Sequence, residues 1–165
     1  MARIFIAIRF EDDFRQTLVC VQESLKARGV EGNYCSYGNL HMTLAFIGEQ
    51  YDLPKIRKAV SEVKVEPFDL SLDRLGSFPT KAGVIWCGVR DNEAVAELAE
   101  HLRERLKANG VCFKEGTFFP HISLVQHPSS IITDIAVPES TARVTQIHIM
   151  KSERVDGEVI YSEIK

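Results

Sequence analysis

The sequence has no C-x-x-C pair. Its four cysteines, Cys20, Cys35, Cys87 and Cys112, stand far apart, which argues against a zinc knuckle or a thioredoxin-type centre. Cys20 and Cys87 lie among apolar letters and read as small core residues in a reducing compartment. No apolar run is long enough to span a bilayer. The N-terminus (Met1-Ala2-Arg3-Ile4-Phe5) runs straight into a strand-like segment and lacks the apolar region of a signal peptide. The expected location is the cytoplasm, with no membrane partner. A surplus of basic charge is also lacking, since 20 Lys and Arg face 23 Asp and Glu, for a net charge of −3. That argues against coating nucleic acid by phosphate neutralisation, but leaves room for a cleft that grips a single phosphate. There is no P-loop-type glycine run, no H-x-x-x-H and no carboxylate–histidine cluster, so no cofactor and no metal site are expected.

What is present is the composition of an ordinary globular protein. The chain has 165 residues, 45% hydrophobic and 26% charged, with a mean hydropathy of −0.07. This suits one compact domain or two small lobes sharing a core, and a monomer is the default expectation.

An internal repeat organises the chain. Residues 4–9 (IFIAIR) read as a buried strand. Asp12 or Asp13 is placed to cap a helix whose apolar stripe is Phe14, Leu18, Val21 and Leu25, with Gly29 as its stop. A polar loop leads to a second strand, residues 41–47 (HMTLAFI). The order then recurs: a strand at 84–90 (VIWCGVR), a cap at Asp91 or Asn92, a stripe of Val95, Leu98, Leu102 and Leu106, a stop at Gly110, a loop, and a strand at 121–125 (HISLV). LKARGV at 25–30 corresponds to LKANGV at 106–111, an offset of 81, while His41 and His121 are offset by 80. The repeat runs roughly over 3–47 and 83–125 and implies two structurally similar halves within a single domain, 1–165. Further expectations are a short helix at 54–63, strands at 68–75, 144–150 and 159–164, and a tight turn at Asp156-Gly157.

Residues i and i+2 of a strand face the same way. His41 therefore projects with Thr43, and His121 with Ser123, while Met42, Leu44, Ile122 and Leu124 anchor the opposite faces. If the halves are related by approximate two-fold symmetry, two imidazoles and two hydroxyls surround one cleft. A neutral imidazole takes a proton from water, a protonated one gives a proton to a departing sugar oxygen, and the hydroxyls donate to phosphate oxygens. Histidine suits both roles near neutral pH. The bland alternative is a strand histidine satisfied by backbone or hydroxyl; its equivalent placement in both repeats favours the functional reading.

NLHMTLAFIGE (39–49) and FPHISLV (119–125) resemble the two signature segments of the two-histidine phosphoesterases. Within that superfamily the chain is most similar to the LigT-type RNA 2′,3′-cyclic phosphodiesterases, also called 2′-5′ RNA ligases. The likeness extends to RIFIAI, VIWCGV and IHIMKSE and so covers nearly the whole chain. It implies an α+β bilobal fold, two pseudo-symmetric lobes whose antiparallel sheets line a central cleft with helices outside. It also implies metal-independent hydrolysis of a terminal 2′,3′-cyclic phosphate, on RNA 3′ ends or nucleotides, to a 2′-phosphate, with reversible 2′-5′ ligation. On the family's usual assignment His41 protonates the leaving 3′ oxygen, His121 activates water, and Thr43 and Ser123 hold the phosphate.

Two positions depart from the family pattern. Ser123 replaces the commoner Thr, and Gln126 stands where many relatives carry Arg, which removes a positive charge. Lys81, Arg9, Arg90 and Lys114 are candidates to replace it. Phe119 and Tyr37 are candidate substrate contacts, with core packing as the competing reading. His101 reads as a surface residue, His127 as a loop residue, and His148 as a structural strand histidine. Alternative functions are the same cleft acting on a 2′-5′ oligoadenylate, a tRNA-splicing product or an ADP-ribose cyclic phosphate, or a non-catalytic module that binds RNA or nucleotide phosphates.

Overall fold

The computed structural model describes residues 2–78, 83–90 and 93–165. The order of elements is β1 (Arg3–Arg9), α1 (Asp12–Ala27), β2 (Asn33–Tyr34), a 3₁₀ turn (Tyr37–Asn39), β3 (His41–Gly48), α2 (Leu53–Ser61), β4 (Phe68–Phe78), β5 (Val84–Arg90), α3 (Glu93–Ala108), β6 (Ile122–Gln126), β7 (Thr141–Val144), β8 (His148–Val155) and β9 (Glu158–Ile164). The fold is α+β and bilobal. One sheet has the order β3-β1-β8-β9, the other β2-β6-β5-β4-β7, and all pairings are antiparallel.

β1 is nearly continuous in apolar residues because both of its faces are covered. Ile4, Ile6 and Ile8 enter the main core, while Phe5 and Ala7 form a small cluster with Met150 on the other face. The two long helices stop as the repeat predicts. Gly29 and Gly110 take positive φ, 85° and 73°. The amides of Val30 and Val111 reach back to the carbonyls of Leu25 and Leu106 at 3.1 and 2.9 Å, the closure that a glycine at this position permits.

The helices do not stay with their own halves. α1 packs on β6 and α3 packs on β3, so each helix covers the other half's histidine-bearing strand. One main core therefore runs through both lobes, with Phe14, Leu18, Leu44, Ile85, Leu102 and Leu124 in the same cluster.

Several expectations need correction. Residues 144–150 are not one strand. β7 ends in the second sheet at Val144 and β8 begins in the first at His148, and the intervening residues carry the chain across. Glu11, not Asp12 or Asp13, is the N-cap of α1; it makes no side-chain cap bond, and the two aspartates occupy the first turn, where they favour the helix dipole. The expected caps of α3, Asp91 and Asn92, lie outside the described residues. The short helix spans Leu53–Ser61 and is capped by the Asp52 side chain. β4 continues to Phe78. Cys20 is exposed, because it sits on the outer face of α1, whereas Cys87 is buried. The turn at Asp156-Gly157 has positive φ at both residues, 51° and 83°, and pairs Val155 with Glu158, the geometry of a two-residue hairpin. Among the described residues no helix is long and apolar enough to cross a membrane.

Candidate active site

β3 lies at an edge of its sheet and approaches β6 of the other. This brings the two histidine segments together. Their burial runs in parallel: from His41 to Phe46 and from His121 to Gln126, half-buried positions at the first and third residues are followed by two buried residues and an exposed one. A one-residue register slip causes this. On β1, Ile6 faces Ala45 and Ala7 faces Thr43, which leaves Leu44 as the extra residue. On β5, Ile85 faces Val125 and Trp86 faces Ser123, which leaves Leu124. Both strands thus carry a bulge directly after the His-x-Thr/Ser triplet, and such a bulge re-aims the side chains beside it. His121 itself precedes β6, which begins at Ile122.

The imidazoles are held alike. Nδ1 of His41 lies 2.6 Å from the carbonyl oxygen of Asn39, and Nδ1 of His121 lies 2.8 Å from that of Phe119. A carbonyl only accepts, so each Nδ1 carries a proton and donates it. Each neutral ring is then fixed with its lone pair on Nε2. Nε2 of His41 meets the Thr43 hydroxyl at 2.8 Å. Burial lowers the pKa of both rings, and the Nδ1 bond to the backbone partly offsets this in each. The positive charge of His121 lowers His41 further. The two rings therefore sense one another, and the repulsion falls on the ring that loses its proton first.

Each ring stands against an aromatic wall. His41 packs on Phe5 and Tyr161, with centroids 5.0 and 5.2 Å away. His121 packs on Phe78 at 4.8 Å, with Trp86 and Phe119 at 6.3 and 6.2 Å. Phe119, 49% exposed, stands at the end of the second wall. Phe5, Tyr161, Phe78 and Trp86 are absent from the sequence-based site. Phe5 sits in an unbroken apolar run, and Trp86 in an apolar strand, so neither has a periodicity that separates a cleft wall from core.

The other candidates fall as follows. The Tyr37 hydroxyl donates to Asp12 and its ring lies under Arg15. Gln126 is exposed at the end of β6, beyond the bulge. His101 is exposed on α3, and His127 sits in the loop after β6. His148 bonds Glu163 at 3.1 Å, and Arg9 bonds the same carboxylate at 3.0 Å; Arg9 is also the register partner of His41. The hydrogen bond from His148, and then the charges of His148 and Arg9, lower the Glu163 pKa. Arg90 lies near Asp73 and Glu139 at 3.8 and 3.7 Å. Lys114 is exposed, and Lys81 lies outside the described residues. Among the described residues no group of three or more His, Cys, Asp or Glu is arranged to hold a metal ion.

The family model described as the 2′-5′ RNA ligase superfamily matches residues 35–156. The chain belongs to that superfamily. It is 34% identical over 113 residues to the RNA 2′,3′-cyclic phosphodiesterase of Archaeoglobus fulgidus, covering 66% of this chain and 63% of that one. It is 30% identical over 172 residues to the RNA 2′,3′-cyclic phosphodiesterase of Thermotoga maritima, covering 96% and 91%. The crystal structure of Escherichia coli LigT in apo form aligns with a TM-score of 0.79 at 26% identity, over 99% of this chain and 94% of that one. The match thus spans most of the Thermotoga and Escherichia proteins and under two thirds of the Archaeoglobus one. In this 2′-5′ RNA ligase superfamily member, both histidine segments lie within the matched residues.

Proposed function

We propose that the chain is an RNA 2′,3′-cyclic phosphodiesterase that opens a terminal cyclic phosphate to a 2′-phosphate without a metal, within one bilobal domain. His41 and His121 form the acid–base pair, and Thr43 and Ser123 donate to the phosphate oxygens. The observation that carries this reading is the duplicated arrangement of ring, bulge and backbone acceptor. Two imidazoles, each with Nδ1 held by the carbonyl two residues earlier, are left with Nε2 as the working nitrogen. The relatives named RNA 2′,3′-cyclic phosphodiesterase support the substrate class.

In the reaction, the neutral ring takes a proton from water at Nε2 as the water oxygen bonds to phosphorus. The P–O3′ bond breaks, and the charged ring gives its Nε2 proton to O3′. The product carries a 2′-phosphate and a 3′-hydroxyl. The rings have then exchanged protonation states and are reset by solvent. Each acid–base group contributes about 10²–10⁴-fold.

In the free chain His41 is the ring more disposed to be neutral, since burial and the charge of His121 both act on it. The family likeness implies the opposite distribution for hydrolysis. A cyclic substrate with sulfur in place of the bridging 3′ oxygen separates the two, because its leaving group needs no proton. The alanine variant of the acid histidine regains turnover on it, and that of the base does not.

The central test is turnover of adenosine 2′,3′-cyclic phosphate in excess EDTA with identification of the product. The expected result is adenosine 2′-phosphate, with His41→Ala and His121→Ala each slower by at least about 10²-fold. Activity that vanishes in EDTA and returns with zinc or manganese overturns the mechanism, and wild-type turnover in either variant overturns the pair. Binding of the nucleotide without product favours the non-catalytic reading.

A further inference from the structure

Gln22 is the one buried polar or charged side chain among the described residues, 5% exposed. An amide in that position is costly unless bonded. Its Nε2 donates to two carbonyls, those of Leu124 and Cys35, both at 2.9 Å. Arg103 does the same in the other half. Its Nε donates to the carbonyl of Leu44 at 3.3 Å and its Nη1 to that of Gly116 at 2.8 Å, with the guanidinium 5.6 Å from the ring centres of both Phe113 and Phe118.

The two contacts are copies of each other. Gln22 and Arg103 are 81 positions apart, as are Cys35 and Gly116, while Leu44 and Leu124 are 80 apart. Leu44 and Leu124 are the bulge residues. Gln Nε2 and Arg Nε lie the same number of bonds from Cα, so different letters deliver a donor to the same place. Each contact also crosses between halves. Gln22 ties the loop before His41 to the bulge after His121; Arg103 ties the loop before His121 to the bulge after His41.

We propose that Gln22 and Arg103 are positioning residues that hold the two histidine strands in register and so set the placement of the two imidazoles relative to one another. This rests on the acid–base roles proposed above. The extra residue of a bulge has no partner on the strand it slips against, although the Leu124 carbonyl also accepts the Cys35 amide at 2.9 Å, and a strand that slips by one residue turns its side chains to the opposite face. A donor on the bulge carbonyl opposes that slip. Because both donors come from helices packed across the lobes, they also fix one strand against the other. Both side chains bond backbone carbonyls and neither hydrogen-bonds an imidazole among the described residues, so their effect passes through the backbone.

The test compares Arg103→Met, which keeps the length and loses the donors, with Arg103→Gln, which keeps a donor at the position of Nε. Gln22→Met is the counterpart in the other half. On adenosine 2′,3′-cyclic phosphate in EDTA, both Met variants should lose kcat by about 10- to 100-fold with KM little changed, and Arg103→Gln should recover most of the lost turnover. The half-buried Arg103 pair decides the matter if Gln22→Met does not fold. Wild-type kcat in Arg103→Met, or equal losses in Arg103→Met and Arg103→Gln, would overturn the proposal. Imidazole ¹⁵N NMR reads the placement without activity. The wild type should show the Nδ1–H tautomer in both rings, and Arg103→Met a mixture; identical ring spectra and titrations would overturn the clamp. A wild type that is inactive in EDTA sinks the proposed function and leaves this NMR comparison standing.

Discussion

At the scale of single residues, a backbone carbonyl fixes the proton on each Nδ1 and burial lowers both ring pKa values. The sign of the pH dependence follows. In the proposed mechanism the competent free form has one neutral and one charged ring, and it is most populated between the two pKa values. Both lie below the ordinary histidine value of 6.5, so kcat/KM should peak on the acid side of that value. It should fall at higher pH as His121 loses the last proton, and at lower pH as both rings become charged. Bound phosphate is an anion beside both rings and favours their charged forms, so the limbs of kcat should lie at higher pH than those of kcat/KM. Initial rates across pH at saturating and at low substrate check this. A kcat/KM maximum on the alkaline side of 6.5, or limbs that coincide for the two parameters, contradicts it. That His41 and Thr43 share a face was legible in the sequence, because i and i+2 spacing on a strand fixes which side chains point the same way, and the two meet at 2.8 Å. Ser123, by contrast, has no side-chain hydrogen bond among the described residues, so the likeness of the two triplets does not extend to their free-state bonding.

At the scale of elements, the histidine strands depend on the strands beside them. Trp86 lies across from Ser123 on β5, and its ring reaches over Gly76 on β4. A Cβ at Gly76 would stand 2.3 Å from the indole, too close for any packing that leaves the ring in place. Gly76→Ala should therefore push Trp86 out of the wall it forms with Phe78, Phe119 and His121. Overpacking of this kind costs about 1–3 kcal/mol, read as a lower denaturant midpoint with an unchanged slope, and it should be accompanied by a fall in turnover. Wild-type midpoint and turnover would mean that the wall accommodates the methyl and that His121 does not depend on it. Helix stripes, glycine stops and the final hairpin could be read from periodicity and turn chemistry, since each is a local signal. The bulges could not. A bulge is visible only once a partner strand gives the register, and HMTLAF continues as smoothly in letters as an unbulged strand. The division of residues 144–150 between two sheets was hidden for the same reason, because alternation marks a strand and not the sheet that it joins.

At the scale of the whole molecule, the repeat describes sequence better than it describes folding units. The two halves match in order, spacing and burial, yet α1 covers β6 and α3 covers β3, and buried side chains from both sheets form one main cluster. The first half cut out of this arrangement keeps β1 and β3 but loses β8 and β9 from their sheet, and it also loses the helix that covers its own histidine strand. The apolar stripe of α1, with Phe14, Leu18, Val21 and Leu25 all buried, would then face water, which costs about 25 cal/mol for each Å² of apolar surface uncovered. A chain of about 80 residues has little surplus stability against which to set that loss. The intact chain should therefore unfold in one transition, with far-ultraviolet and near-ultraviolet circular dichroism changing together. A fragment of residues 1–78 expressed alone should show neither cooperative unfolding nor dispersed amide resonances. Two resolved transitions in the intact chain, or a folded fragment, would mean that each half builds its own core, and the helix exchange would then be an addition to two self-sufficient lobes and not the basis of one.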